Sequence, residues 1–329
     1  MQTAVVIVNY GTADLTAAAV DSVLRWHRGD PAVEIHVVDN ASPGGDAAVL
    51  ARHHATRDWG PQVVLHPETE NHGFGRGNNV VLRQLGARDR PPEFVFLLNP
   101  DARLENDAIA ILKSALLQDP SVGFAGARIR NVDMTPVSAA FRFPSCASVI
   151  VDAINFGPVS RLWHQHTVSL PPDTAAGSVD WVSGAAVMIR FAALKDIGFF
   201  DPDFFLYFEE VELMHRGKKN AWTTIYVTDA MVVHAEGAAT KIKGEGEARP
   251  RKPAYWYRSW SLYFEKTNGR SGAIFAGLGW MIGAGINYVL SFIRRRRPHS
   301  PQNFYHDFWN IVFRPLLSRR TNDSDGHGA

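Results

Sequence analysis

Five consecutive apolar residues, Phe94-Val95-Phe96-Leu97-Leu98, followed at once by Asn99-Pro100-Asp101, constrain this chain more than any other stretch. A run that is apolar at every position fits a strand covered on both faces, as in a parallel sheet sandwiched by helices. Proline has no N–H for a ladder, so the strand ends at Asn99-Pro100 and Asp101 falls just past its carboxyl end. Open α/β sheets bind ligands at that edge, where a carboxylate suits a divalent cation holding a diphosphate. The same tripeptide also reads as an ordinary turn. The rest of the chain has to decide.

Strand-like runs at 3–9, 33–38, 63–66, 94–98 and 122–129 alternate with helix-period segments at 14–26, 46–54, 77–85 and 106–117. That alternation predicts βαβ units and a doubly wound, mainly parallel α/β sheet. Right-handed crossovers then gather the loops that follow the strands on one edge. Residues 131–177, rich in Pro, Ser and Gly, read as an irregular insertion, and 181–190 as a strand broken at Ser183-Gly184. The single cysteine, Cys146, excludes an internal disulfide and fits a reducing compartment. A net charge of +1 over 329 residues argues against a general nucleic-acid binder. The apolar start at 3–8 is too short for a signal peptide and lacks a basic flank, so the expected location is cytoplasmic.

The loops on the predicted edge carry the chemistry. Strand one ends in Asn9-Tyr10-Gly11 and strand two in Asp39-Asn40-Ala41-Ser42. An acid after the second strand suits a ribose or base, yet no Gly-x-Gly-x-x-Gly follows strand one, which speaks against a dinucleotide oxidoreductase. The glycine cluster from Asn71 to Asn79 opens a helix, so free N–H groups and the cation of Arg76 would face an anion; the alternative is a glycine turn with an Asn cap. Further on, an aromatic run from Phe199 to Phe208 leads into Glu209-Glu210-Val211-Glu212. Acids in a first helical turn either complement the dipole or, after a buried aromatic run, include a general base. His234 ends the apolar run Met231-Val232-Val233, as a structural histidine or a ligand.

Taken together, and in this order, these motifs resemble the family-2 inverting glycosyltransferases of the GT-A fold, most closely the rhamnosyltransferase-like members. The resemblance covers roughly residues 3–270. It implies a GT-A α/β domain and a pocket for a nucleotide sugar. Asp39 would read the base, joined by Asn9, Tyr10, Asn40, Asn71, Gly73, Phe74, Arg76, Asn78, Asn99, Asp101, Trp181 and Gly184. Asp101 would be the last acid of a metal motif and His234 the second protein ligand of Mg2+ or Mn2+. Glu210 stands at the family's catalytic aspartate, with Glu209 as rival. Two residues depart from the pattern: Asn99 stands where a second metal-motif acid is usual, and Glu210 is one methylene longer than aspartate. Positioning errors on the order of 1 Å can cost ~100-fold in rate. The implied reaction moves L-rhamnose from dTDP-L-rhamnose to a hydroxyl of a glycan or lipid-linked acceptor. UDP-galactofuranose or UDP-N-acetylhexosamine as donor, or a catalytically weak nucleotide-sugar-binding scaffold, are the alternatives.

Three regions are expected: a nucleotide-sugar-binding and catalytic domain at 1–252, a helical extension at 253–320, and a disordered polar tail at 321–329. Residues 273–293 are uncharged and precede Arg294-Arg295-Arg296-Arg297, which suits contact with the inner face of the plasma membrane, in plane rather than spanning. Arg314, Arg319 and Arg320 extend the basic face towards anionic headgroups or a lipid diphosphate. The alternative is a buried helix hairpin or an oligomer interface made with 259–266 and 304–317. Residues 235–252 read as a mobile lid beside His234.

Overall fold

A computed structural model describes residues 2–235 and 249–318. The expected lid falls mainly on 236–248, and the expected tail, with Arg319 and Arg320, on 319–329; both lie outside the described residues. The chain forms two compact units, Met1–Phe143 with Val168–Lys243, and Pro144–Thr167 with Gly244–Ala329. Where the sequence suggests one boundary after residue 252, the division is interleaved.

The first unit holds strands β1 (Thr3–Asn9), β2 (Val33–Asp39), β3 (Val63–Pro67), β4 (Phe94–Leu98), β5 (Ala102–Leu104), β6 (Val122–Arg130), β7 (Ala140–Phe141), β8 (Gly177–Val179), β9 (Trp181–Val182), β10 (Ala186–Arg190) and β11 (Thr223–His234). Its helices are α1 (Ala13–His27), α2 (Asp46–Thr56), α3 (Gly73–Gly86) and α4 (Ala108–Gln118), then α7 (Phe191–Ile197) and α8 (Glu209–Lys219). Nine strands make one mixed sheet in the order β3-β2-β1-β4-β10-β6-β11-β5, with β8 beside β11. The β3-β2-β1-β4 half is parallel, whereas β10 runs antiparallel to both its neighbours.

β4 occupies the position its composition demands. Phe94, Phe96 and Leu98 pack into the core under α1, α2 and α4, while Val95 and Leu97 enter the core under α3, α7 and α8. The two cores are the two faces of the sheet, so the all-apolar run follows from a period of two with both faces buried. Each such side chain contributes roughly 1.5–3 kcal/mol of burial free energy.

Three segments depart from the sequence expectation. The stretch 181–190 is two strands in two sheets, because β9 pairs β7 while β10 enters the main sheet. Residues 131–177, expected to be irregular, contain α5 (Cys146–Ile154) and α6 (Gly157–Leu162). α3 begins at Gly73, four residues before the expected start at 77. Gly73 makes that early start feasible: its φ is +74°, and a Cβ there would lie 1.7 Å from the Phe205 carbonyl oxygen.

The second unit is helical: α5, α6, the 40-residue α9 (Ala254–Ile293), α10 (Phe304–Phe308) and α11 (Arg314–Ser318). α9 breaks at Gly269, whose φ of 71° is non-helical. Beyond the break its amphipathicity is inverted. The small residues Ala273, Ala276, Gly277, Gly279, Gly283 and Ala284 are buried, whereas Phe275, Leu278, Ile282, Ile286, Val289 and Ile293 are 43–70% exposed. Steps of three and four residues put those six on a single helix face. By length and composition α9 is apolar enough to cross a membrane. Its glycines let α5 approach closely, since a Cβ on Gly283 would stand 2.7 Å from the Ala153 Cβ and 3.2 Å from the Ile150 carbonyl oxygen. Gly283→Val is therefore expected to destabilise this packing by about 1–3 kcal/mol, read as a lower urea midpoint of unfolding.

Candidate active site

Four groups of side chains meet along the carboxyl edge of the main sheet. Register sets the first. Asn9 and Asp39 are the last pair of the parallel β1–β2 ladder, so both leave the sheet together. The buried Asn9 amide donates to Asp39 Oδ1 at 2.8 Å and to Asp46 Oδ2 at 3.0 Å, and Ser42 Oγ donates to Asp39 Oδ1 at 2.6 Å. Both bonds to Asp39 fall on Oδ1, which leaves Oδ2 the capacity to meet a ligand's donors. Asn9 thus fixes the acid, and Tyr10, 46% exposed, is the outward member of this corner.

The second group ties the 71–79 segment to that corner. Asn40 accepts from the His72 N–H at 3.0 Å and donates to Asn71 Oδ1 and the Gly73 carbonyl, each at 3.1 Å. Asn71 Oδ1 also accepts the Gly73 N–H at 2.9 Å, while the Phe74 N–H donates to the Phe205 carbonyl at 3.2 Å. These two N–H groups at the start of α3 are thus held by the protein, a correction to the expectation of a free anion cradle. Arg76 gives its Nε to the His72 carbonyl and Asn78 gives its amide to the Phe74 carbonyl. Asn79, which sequence analysis left without a role, locks α3 to the aromatic run by bonding both the N–H and the carbonyl of Phe200.

The third group joins residues far apart in sequence. After Pro100 the chain turns back as β5, which pairs antiparallel with the end of β11 and sets His234 against Ala102. The His234 Nε2 comes to 3.0 Å from Asp101 Oδ1 and 3.3 Å from Asn99 Nδ2, with Asp101 and the imidazole largely shielded from solvent. Two adjacent ligands of an octahedral ion at ~2.1 Å stand about 3 Å apart, so this pair fits two neighbouring corners of a divalent cation. No cluster of three or more His, Cys, Asp or Glu side chains able to hold a metal occurs among the described residues. The pair by itself offers at most two protein ligands. A bound diphosphate or water would have to supply the rest.

The fourth group holds the acids. Tyr207 and Phe208 both have positive φ, 71° and 68°, and turn the chain sharply into α8. Non-glycine residues in that region carry on the order of 1–3 kcal/mol of strain each, which packing of the aromatic run has to offset. Glu209 and Glu210 follow at once as the first residues of α8. Glu209 is 2% exposed, and each acid has one carboxylate oxygen that is buried without a hydrogen-bond partner. Burial pushes Glu209 well above the ordinary carboxylate value of 4.5, with the charge of Glu210 adding to it, and burial likewise raises Glu210. Two adjacent carboxyls in so dry a place titrate as a pair that retains a proton above the usual range. Gly184 faces this pair: a Cβ on it would lie 3.6 Å from Cβ and Cγ of Glu210 and from Phe74 Cε1. The Asn99 N–H bonds the neighbouring Ala185 carbonyl at 2.9 Å, which links the acids to the Asp101 corner. Trp181 instead stacks on Phe141 at 4.0 Å and gives its indole N–H to the Arg142 carbonyl.

Residues 1–249 match the model of the glycosyltransferase-like family 2. A Mycobacterium tuberculosis protein described as an N-acetylglucosaminyl-diphospho-decaprenol L-rhamnosyltransferase is 29% identical over 216 residues, 63% of this chain and 68% of the relative. A low-salt glycan biosynthesis hexosyltransferase of Haloferax volcanii is 27% identical over 65% of this chain and 61% of its own length. Among solved structures, a mannosyltransferase of Pyrobaculum calidifontis in complex with GDP-Man and Mn2+ superposes with a TM-score of 0.53 at 16% identity, covering 88% of this chain and 75% of that one. The sheet and its flanking helices therefore form a GT-A fold.

The raised carboxyls also make a statement about stability. A carboxyl whose value is higher when folded favours the native state at low pH and penalises it as pH rises above about 4.5. Glu209→Gln, which removes a buried charge and keeps the shape, is expected to raise the melting temperature at about pH 8 more than at about pH 5, read by paired thermal melts.

Proposed function

The chain belongs to the glycosyltransferase-like family 2, and on that premise we propose that it is an inverting transferase moving L-rhamnose from dTDP-L-rhamnose to a hydroxyl of a glycan or lipid-linked acceptor. The observation that carries the mechanism is buried Glu209 beside half-buried Glu210, both with raised basicity, on the same sheet edge as Asp39 and the Asp101–His234 pair. The rhamnosyl and decaprenol-diphosphate terms in the description of the Mycobacterium tuberculosis relative support the choice of donor and acceptor class.

Asp39, steadied by Asn9 and Ser42, meets the N–H donor of the pyrimidine base, and Asn40 and Asn71 keep the neighbouring backbone in place. Glu210, in its ionised form, accepts the proton of the acceptor hydroxyl as that oxygen attacks the anomeric carbon. The bond from that carbon to the diphosphate oxygen breaks on the opposite side. One displacement of this kind inverts the anomeric configuration and yields a glycoside and a nucleoside diphosphate, with the proton left on Glu210. Glu209, held dry beside it, keeps the pair's proton affinity high. A divalent cation, when held by Asp101 and His234, supplies charge neutralisation for the diphosphate.

The helical unit supports a peripheral membrane location, because the outward face of α9 is a continuous apolar stripe ending at four arginines.

Three outcomes are expected. Glu210→Gln lowers kcat for dTDP-L-rhamnose transfer by about 10²–10⁴-fold; unchanged turnover would remove Glu210 from the role of base. In the unmodified enzyme kcat/KM falls on acidification through a value above 4.5, because the base must be ionised and burial raises its affinity for the proton. Asp101→Ala weakens Mn2+ binding measured directly by calorimetry in the presence of dTDP, independently of any turnover assay.

A further inference from the structure

The helical unit contains a pocket of about 380 Å3 whose lining includes Arg249, Tyr288, Arg297, Ser300, Gln302 and His306. Its composition is unlike that of a packing defect. Its surface is mostly apolar, but its lining also includes two exposed cations, Arg249 and Arg297, and the polar residues Ser300, Gln302 and His306. The acid nearest to it in sequence, Asp307, is already taken by Arg251 in a two-pronged pair at 2.7 Å.

More positive charge stands close by. Lys252 lies 3.3 Å over the Trp256 ring, and its pKa is pushed down to about 8 by burial and by the charge of Arg249. His299 is lowered by burial and by the same Arg249, with Lys252 adding to it, and Asp152 is the one acid that acts against the shift in either group. Asn155 and the Asn287 side chain fix the His299 residue through bonds of 2.7 Å each, yet its Nε2 is buried and has no hydrogen-bond partner. Lys252 and His299 stand outside the pocket lining, but both disfavour further positive charge next to Arg249, so an anion held by Arg249 would relax the cluster.

Its position selects the anion. Tyr288 and Ala284 lie on α9, towards the end of the exposed stripe that runs from Phe275 to Ile293, and Arg297 closes the four-arginine run that follows. A bilayer meeting the stripe would bring headgroup phosphates to the level of this pocket. We infer that the pocket captures the phosphate of an anionic phospholipid headgroup while the α9 stripe lies in the bilayer, so that the protein prefers anionic membranes through a built site rather than through diffuse charge alone. This rests on the peripheral membrane location given above.

The test is cosedimentation of the full chain with vesicles of phosphatidylcholine alone or mixed with phosphatidylglycerol. Four proteins are compared: the unmodified chain, Arg249→Ala with Arg297→Ala in the pocket, Arg295→Ala with Arg296→Ala on the surface, and Ile282→Asn with Val289→Asn in the stripe. Thermal melts check that each variant is folded. Each basic residue near an anionic surface contributes about 1 kcal/mol through diffuse charge alone, so either pair is expected to lose about 30-fold in affinity for phosphatidylglycerol vesicles, and the pocket pair, which also gives up direct bonds to the phosphate, at least about tenfold more. The surface pair should lose clearly less, and the stripe pair should lose binding to both kinds of vesicle. Equal losses for the pocket and surface pairs would overturn the site and leave membrane association standing. Absence of binding by the unmodified chain to either vesicle would overturn both. A thermal shift with inorganic pyrophosphate that the pocket pair abolishes, with vesicle binding unaltered, would assign the pocket to a soluble anion and overturn the lipid.

Discussion

A buried carboxyl beside a half-buried one, Glu209 against Glu210, sets the terms for the structure around the pair. Taking them out of water works against folding, and the α8 N-terminus offsets only part of that penalty. The rest falls on hydrophobic packing. The Phe199–Phe208 run presses against α3, Asn79 clamps Phe200 at both of its backbone polar groups, and two aromatic residues accept a left-handed backbone to aim α8. Gly73, Gly75 and Gly184 leave the space that this crowding needs. The doubly faced core around β4 supplies the rigidity that holds the arrangement.

The Asp101–His234 corner, the proposed metal site, follows a different logic. Asp101 and His234 are separated by well over a hundred residues and meet because β5 doubles back along β11 after Pro100. Asn99, in the place of a second acid, sits 3.3 Å from the same histidine nitrogen and lends the corner a neutral polar group rather than a charge. The proposed site offers one carboxylate where a two-acid motif offers two, so the proposal assigns more of the hold on a cation to the phosphates of the donor.

How much of this was legible beforehand depends on whether the deciding contacts were local. β4 could be read from composition because both of its faces are buried and every position reports it. Asp39, Asp101, Glu210 and His234 could be singled out because each follows an apolar strand or aromatic run that sets its position. The role of the 71–79 glycines could not, because Gly73 accommodates Phe205, Gly75 Phe200 and Gly77 Val8, contacts with no trace in the local pattern. The nine residues of α5 were hidden as well: Pro144 before them and Asn155 to Pro158 after them made the whole insertion look irregular, and a helix of two and a half turns shows little periodicity. The contacts that Asp46 and Ser42 make with Asn9 leave no local trace for a related reason. Their partner, Asn9, comes from a different loop.

The interleaving of the two units has a consequence for how such a chain can be inherited and dissected. α5 belongs to the helical unit but is encoded within the span that builds the sheet, and it fills the small-residue groove of α9. A single cut after β11 would leave α5 without the α9 groove it packs into. The helical unit is thus not an appendage to be exchanged alone. Residues 144–167 and 249–318 pack as one unit supplied by two pieces of chain, and an exchange that keeps its packing has to carry both.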